Sequence, residues 1–211
     1  MKTVVVHVHG LWFSGREAWL LRTRLSRALH AEERAFSYRS VSDTISANSA
    51  ALKAYLATIS CDTLHLVGHS LGGVVIVDLF RHAPAFAPGR ILLLGSPLKG
   101  SEAALALSRL PFGKSMLGHG VAEQVMQAPA RRWDGSRDLG IIAGSLALGV
   151  GRLVNRFDGA NDGTILVAET HLDGARDHLV LPVSHTGLLW SREVARQGAA
   201  FLRDGRFVRH G

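Results

Sequence analysis

The 211-residue sequence predicts an α/β fold, with about six mostly parallel strands in one sheet and helices on both faces. Three observations carry this. Short β-rich runs alternate with longer helical patterns along the whole chain, most connections are short, and four of the six strand runs are almost wholly apolar. Such alternation builds parallel sheets, and a strand covered by helices on both faces needs no polar side.

In chain order, Val4–Val8 reads as the first strand and Gly15–His30 as the first helix. The strand Ala35–Ser40 and the helix Ser46–Ile59 follow, then the strand Thr63–Val67 and the apolar helix Leu71–His82. The wholly aliphatic Ile91–Leu94 is the fourth strand. Between Pro97 and Asp138 the rhythm breaks: helical patterns at Ser101–Leu110 and Gly120–Gln127 sit among Pro111, Pro129 and several glycines. This connection is far longer than a crossover needs, so residues 101–137 are either an ordinary helical crossover or a lid over a cleft. Leu139–Ala143 resumes the sheet. Thr164–Leu172 reads as a helix, His178–Val183 as the last strand and Leu188–Leu202 as a closing helix.

With 47% hydrophobic and 19% charged residues, the chain has enough apolar surface for a sizeable core, and residues 1–211 are expected to form one domain. Cys61 is the single cysteine, which excludes an internal disulfide framework and a cysteine-based zinc site. The net charge of +7 raises nucleic acid as a partner, yet the basic residues are scattered singly or in pairs such as Arg131-Arg132. Without aromatic-basic interleaving, the charge reads better as a dispersed field that draws the chain to anionic interfaces or substrates. No apolar stretch is long enough to span a membrane, and the opening residues lack a signal-peptide core and cleavage site, so a cytoplasmic location is expected.

Directly after the strand Thr63–Val67 stands Gly68-His69-Ser70-Leu71-Gly72-Gly73, followed by an apolar helix. This is G-x-S-x-G at a strand-to-helix turn. The turn lifts the serine hydroxyl clear of the sheet. Side chains at the flanking positions would strike neighbouring backbone, and the helix N-terminus favours developing negative charge. A serine hydroxyl needs a base to become nucleophilic, and the base needs a group to orient it. In a parallel α/β sheet such groups sit at the carboxyl ends of strands. Of the eleven histidines, His185 lies just past the last strand, whereas His178 opens that strand, on the order of 20 Å away. The acid belongs after the strand Leu139–Ala143. Asp162, in Asn161-Asp162-Gly163 before the helical run Thr164–Leu172, is the first candidate and Asp158 the second. Helix N-capping is the competing role for Asp162, and local loop bonding for Asp158. At the end of the first strand, Gly10 lets backbone approach a substrate carbonyl, so the amides of Leu11 and Leu71 form the expected oxyanion hole. Trp12 and Phe13 either line an acyl pocket or pack in the core. His9 is expected to brace its loop and His69 to pack.

Together these residues resemble the α/β-hydrolase superfamily, and more narrowly its small bacterial esterases and lipases. Val8-His9-Gly10-Leu11 resembles the oxyanion strand, Gly68 to Gly73 the lipase-type elbow, and Asn161-Asp162-Gly163 the acid loop. Gly95-Ser96-Pro97-Leu98-Lys99-Gly100-Ser101 is similar to the segment after the elbow helix, where Leu98 often gives way to histidine. Ser184-His185-Thr186-Gly187-Leu188-Leu189 is similar to the histidine turn. The resemblance implies a serine hydrolase cleaving carboxylic esters of small molecules or lipids through an acyl-enzyme on Ser70, with no metal or organic cofactor required. It also leaves open a thioesterase or acyltransferase using the same residues. A non-catalytic binding relic of the fold is the reading from another class.

Overall fold

The computed structural model describes residues 1–81, 85–118, 132–134, 136–148 and 158–209. Six strands, β1 (Thr3–Val8), β2 (Glu32–Phe36), β3 (Thr63–His69), β4 (Ile91–Leu94), β5 (Leu139–Gly144) and β6 (Asp177–Leu181), form one sheet in the order β2-β1-β3-β4-β5-β6. All the pairings are parallel. The inner strands are the apolar ones: β4 and β5 are buried throughout, and β3 in all but its first residue. The edges, β2 and β6, carry the charge, including Glu32, Glu33, Arg34 and Asp177.

Side-chain alternation divides the core in two. Val4, Val6 and Val8 of β1 pack with Leu64 and Leu66 of β3 against α2 (Ile45–Ala57) and α3 (Leu71–Phe80). Val5 and Val67 face the other way, onto α1 (Trp19–Leu29) and the C-terminal helix, which begins at Arg192 and ends at Asp204. Between these lie two short helices, α4 (Glu102–Ser108) and α5 (Gly113–Leu117), so the C-terminal helix is α6. No described helix is long and apolar enough to cross a membrane.

Four expected elements differ, each for a local reason. The first edge strand is Glu32–Phe36, not Ala35–Ser40, because Val4 to Val8 of β1 pair with Glu32 to Phe36. An edge strand tolerates this polar stretch, which it covers with ion pairs from Glu33 to Arg22 and from Glu32 to Lys2. Helix α1 starts at Trp19 and not at Gly15, since the amides of Ser14 and Gly15 donate to the Glu17 carboxylate and form a turn. The run Thr164–Leu172 is no α-helix but a single 3₁₀ turn, Val167–Thr170. The Asp162 carboxylate takes the amides of Thr164 and Ile165, and Glu169 takes that of Leu166. The closing run divides into a 3₁₀ turn, Gly187–Leu189, and α6, where the Ser191 hydroxyl caps the Val194 amide. Gly120–Gln127 lies outside the described residues.

The chain leaves β1 towards β2 and leaves the neighbouring β3 towards β4, in opposite directions across the sheet, so the loops after β1 and β3 part at its carboxyl end, where such folds open a crevice.

Candidate active site

Ser70 stands between the last residue of β3 and the first of α3, at φ 52° and ψ −122°. Non-glycine residues rarely adopt such a backbone, and a conformation this costly persists where the surroundings impose it. Here they do. A side chain at Gly72 would start 2.1 Å from the Val8 carbonyl oxygen, and one at Gly68 would start 2.6 Å from the Gly73 α-carbon. The two motif glycines thus let α3 press its N-terminus against the end of β1 and β3. The Ser70 amide donates to the Leu94 carbonyl at 2.9 Å, tying the turn to β4. No side chain caps α3, and among the described residues the Leu71 amide has no hydrogen-bond acceptor.

The loop after β1 is braced from beneath. Tyr38 N–H donates to His9 Nε2 at 3.2 Å, so the ring proton lies on Nδ1, which donates to the Gly10 carbonyl at 2.7 Å. The Tyr38 ring stacks on His9 at 4.3 Å, and its hydroxyl donates to the His9 carbonyl. His9 therefore braces the loop, as expected from sequence. Tyr38 was not singled out there, because its partner is 29 residues away. Gly10 lies against Ser70, where a β-carbon would sit 3.1 Å from the serine's own. The next amide, that of Leu11, also has no acceptor among the described residues.

Asp162 and His185 meet across two loops. His185 Nδ1 lies 2.7 Å from Asp162 Oδ2, and both side chains are nearly buried. The other carboxylate oxygen accepts from the amides of Thr164, at 2.9 Å, and Ile165, at 2.7 Å. Asp162 thus holds its own loop with one oxygen and the imidazole with the other. With the proton on Nδ1, His185 Nε2 presents its lone pair. The pair is placed against β4: a β-carbon at Gly95 would lie 3.1 Å from Asp162 Oδ2 and 3.2 Å from His185 Nδ1. Asp158, the second acid candidate, is exposed. Ser70 is partly exposed and follows His69, whose ring centroid lies 4.8 Å from that of His185.

Residues 5–208 match the sequence model of the alpha/beta hydrolase family. The chain belongs to the alpha/beta hydrolase family. No curated protein sequence matches this hydrolase, but solved structures do. It is similar to the mature form of a lipase from Bacillus licheniformis, at 20% identity and a TM-score of 0.74, over 96% of this chain and 91% of that one. A metagenomic carboxyl esterase is similar at 18% identity and a TM-score of 0.67, over 87% of this chain and 64% of the other. A carboxylesterase from Bacillus subtilis is similar at 14% identity and a TM-score of 0.59, over 97% and 84%. At these identities the likeness is one of fold.

The two aromatic residues of the hydrolase's loop after β1 are placed differently. Phe13 is partly buried, with its ring 5.9 Å from that of His69. Trp12 is 56% exposed, with φ 63°, and its indole N–H donates to the Met116 carbonyl at 2.9 Å. That bond joins the loop after β1 to α5, within the long connection between β4 and β5. Among the described residues no cluster of three or more His, Cys, Asp or Glu is placed to hold a metal ion.

Proposed function

We propose that the chain is a serine hydrolase that cleaves carboxylic esters through an acyl-enzyme on Ser70. The observation that carries this is the buried His185–Asp162 hydrogen bond of 2.7 Å, with the His185 ring 4.8 Å from that of His69, the neighbour of a serine held at φ 52°. His185 Nε2 takes the Ser70 proton as the hydroxyl attacks the ester carbonyl, and Asp162 holds the ring tautomer and stabilises the imidazolium. The amides of Leu11 and Leu71 receive the oxyanion, a term worth roughly 3–4 kcal/mol per donor. His185 then protonates the leaving alcohol, and water releases the acyl group by the reverse proton path. Trp12 and Phe13 border the acyl site.

The lipase and esterases of like fold support the choice of an ester as substrate. Exposed Trp12, Phe112 and Met116, with the net charge of +7, favour esters presented at an anionic interface. Short p-nitrophenyl esters test the chemistry: Ser70→Ala is expected to abolish their hydrolysis, and a serine-directed organophosphonate to label Ser70 in the wild type. Retained hydrolysis in the alanine variant rejects the proposal. Assays with competing alcohol and with thioesters separate hydrolysis from acyl transfer and thioester cleavage.

A further inference from the structure

The backbone of His185 is held from two sides. Its N–H donates to the Asp162 carbonyl at 2.9 Å, and its carbonyl oxygen lies 3.1 Å from His69 Nε2. A carbonyl oxygen only accepts, so Nε2 of His69 carries the ring proton. His69 is fully buried, and burial, together with His185 and with His7 and His9 of the β1 side, holds its pKa well below the ordinary histidine range. The ring is neutral, and Nδ1 bears a bare lone pair. That nitrogen is buried with no hydrogen-bond partner among the described residues.

An unpaired buried acceptor is costly, and an apolar residue here would avoid the cost. What a histidine supplies in exchange is a neutral donor at the end of β3 with the reach to meet the His185 carbonyl. The ring packing does not by itself need that donor: the centroids of His69 and His185 lie 4.8 Å apart, and a phenyl ring would also fill the site.

We propose that His69 is a positioning residue for His185, setting the imidazole against Ser70 through the backbone carbonyl. His69 and Ser70 share a peptide bond, so this one hydrogen bond references the base directly to the nucleophile. On the other side, the Asp162 carbonyl references the same residue to the acid. The inference rests on the serine-hydrolase reading above, and it assigns the residue inside the G-x-S-x-G motif a task beyond packing.

The test compares His69→Phe, which keeps a ring and removes the donor, with His69→Gln, whose amide restores an N–H at similar reach. The rate of Ser70 labelling by the organophosphonate and kcat on a p-nitrophenyl ester are measured for each, with the thermal midpoint as the control for folding. Labelling and kcat are expected to fall about tenfold in the phenylalanine variant with KM little changed, and to recover in large part with glutamine. Should the phenylalanine variant not fold, His69→Asn replaces it; its amide is too short, and the same loss is expected. Nitrogen-15 spectra of the wild type are expected to show His69 as the neutral Nε2–H tautomer from pH 5 to 9. A folded phenylalanine or asparagine variant labelled at the wild-type rate, glutamine as slow as phenylalanine, or an Nδ1–H tautomer each overturns the proposal. A wild type that takes no phosphonate at Ser70 instead overturns the hydrolase reading itself, and this inference with it.

Discussion

Asp162 shows how a single side chain serves structure and site together. Its Oδ1 closes the turn through the amides of Thr164 and Ile165, while Oδ2 meets His185. Asparagine keeps an oxygen for the turn but loses the charge that stabilises an imidazolium, and its amide nitrogen favours the wrong tautomer. Asp162→Asn is therefore expected to lower kcat by roughly 10³–10⁴-fold, the scale seen when the acid of such a triad is changed. Asp158→Asn, at an exposed position, is expected to leave kcat within twofold of the wild type. Steady-state rates on one p-nitrophenyl ester compare the two, and equal losses would reject the choice of Asp162. Both aspartates were visible in the sequence as loop residues after β5. The hydrogen bonds that separate their roles reach 23 residues to His185, beyond any local pattern.

At the scale of elements, Glu169 ties three segments into one junction. Its carboxylate accepts from the amides of Glu102, at 2.5 Å, and Leu166, at 2.9 Å, while its carbonyl accepts from Leu98 and Lys99. The start of α4, the segment after β4 and the acid loop all meet there. Glu169→Ala leaves two backbone amides without their acceptor and is expected to destabilise the fold by about 1–3 kcal/mol, read from urea denaturation. Burial raises the Glu169 pKa from 4.5 to about 6. A raised folded-state pKa means its contribution is fully present below about pH 4.5 and is lost as pH rises through about 6. The gap between wild type and variant should therefore narrow over that window, and a gap that widens with pH rejects the assignment. Sequence periodicity placed a helix over this region, because the apolar spacing fits one. It could not show that the Asp162 and Glu169 carboxylates take the amides at its start.

Across the whole molecule, several histidines are buried without charge. Burial lowers His7 to about 3 and His65 to about 4, and holds His69 well below the ordinary range. A depressed folded-state pKa gives stability that is present above the unfolded value of 6.5 and lost as pH falls towards the folded one. Each of these residues is expected to cost up to about 1.4 kcal/mol per pH unit below that point, so acid unfolding should set in well above the carboxylate range. Replacing His7 by leucine should move the midpoint to lower pH, as followed by circular dichroism; an unmoved midpoint rejects this account. The alternation of elements, the apolar inner strands and the strand-end positions of Ser70, Asp162 and His185 were determined by the sequence alone. They follow from local burial patterns and from one topological rule, that residues past the carboxyl ends of parallel strands converge. Only the tertiary structure decided the register of β2, the Glu169 junction, and the grip of His69 on His185 from 116 residues away. Periodicity reports which face of an element is buried, whereas a hydrogen bond between distant loops exists only once packing has brought a particular donor to a particular acceptor.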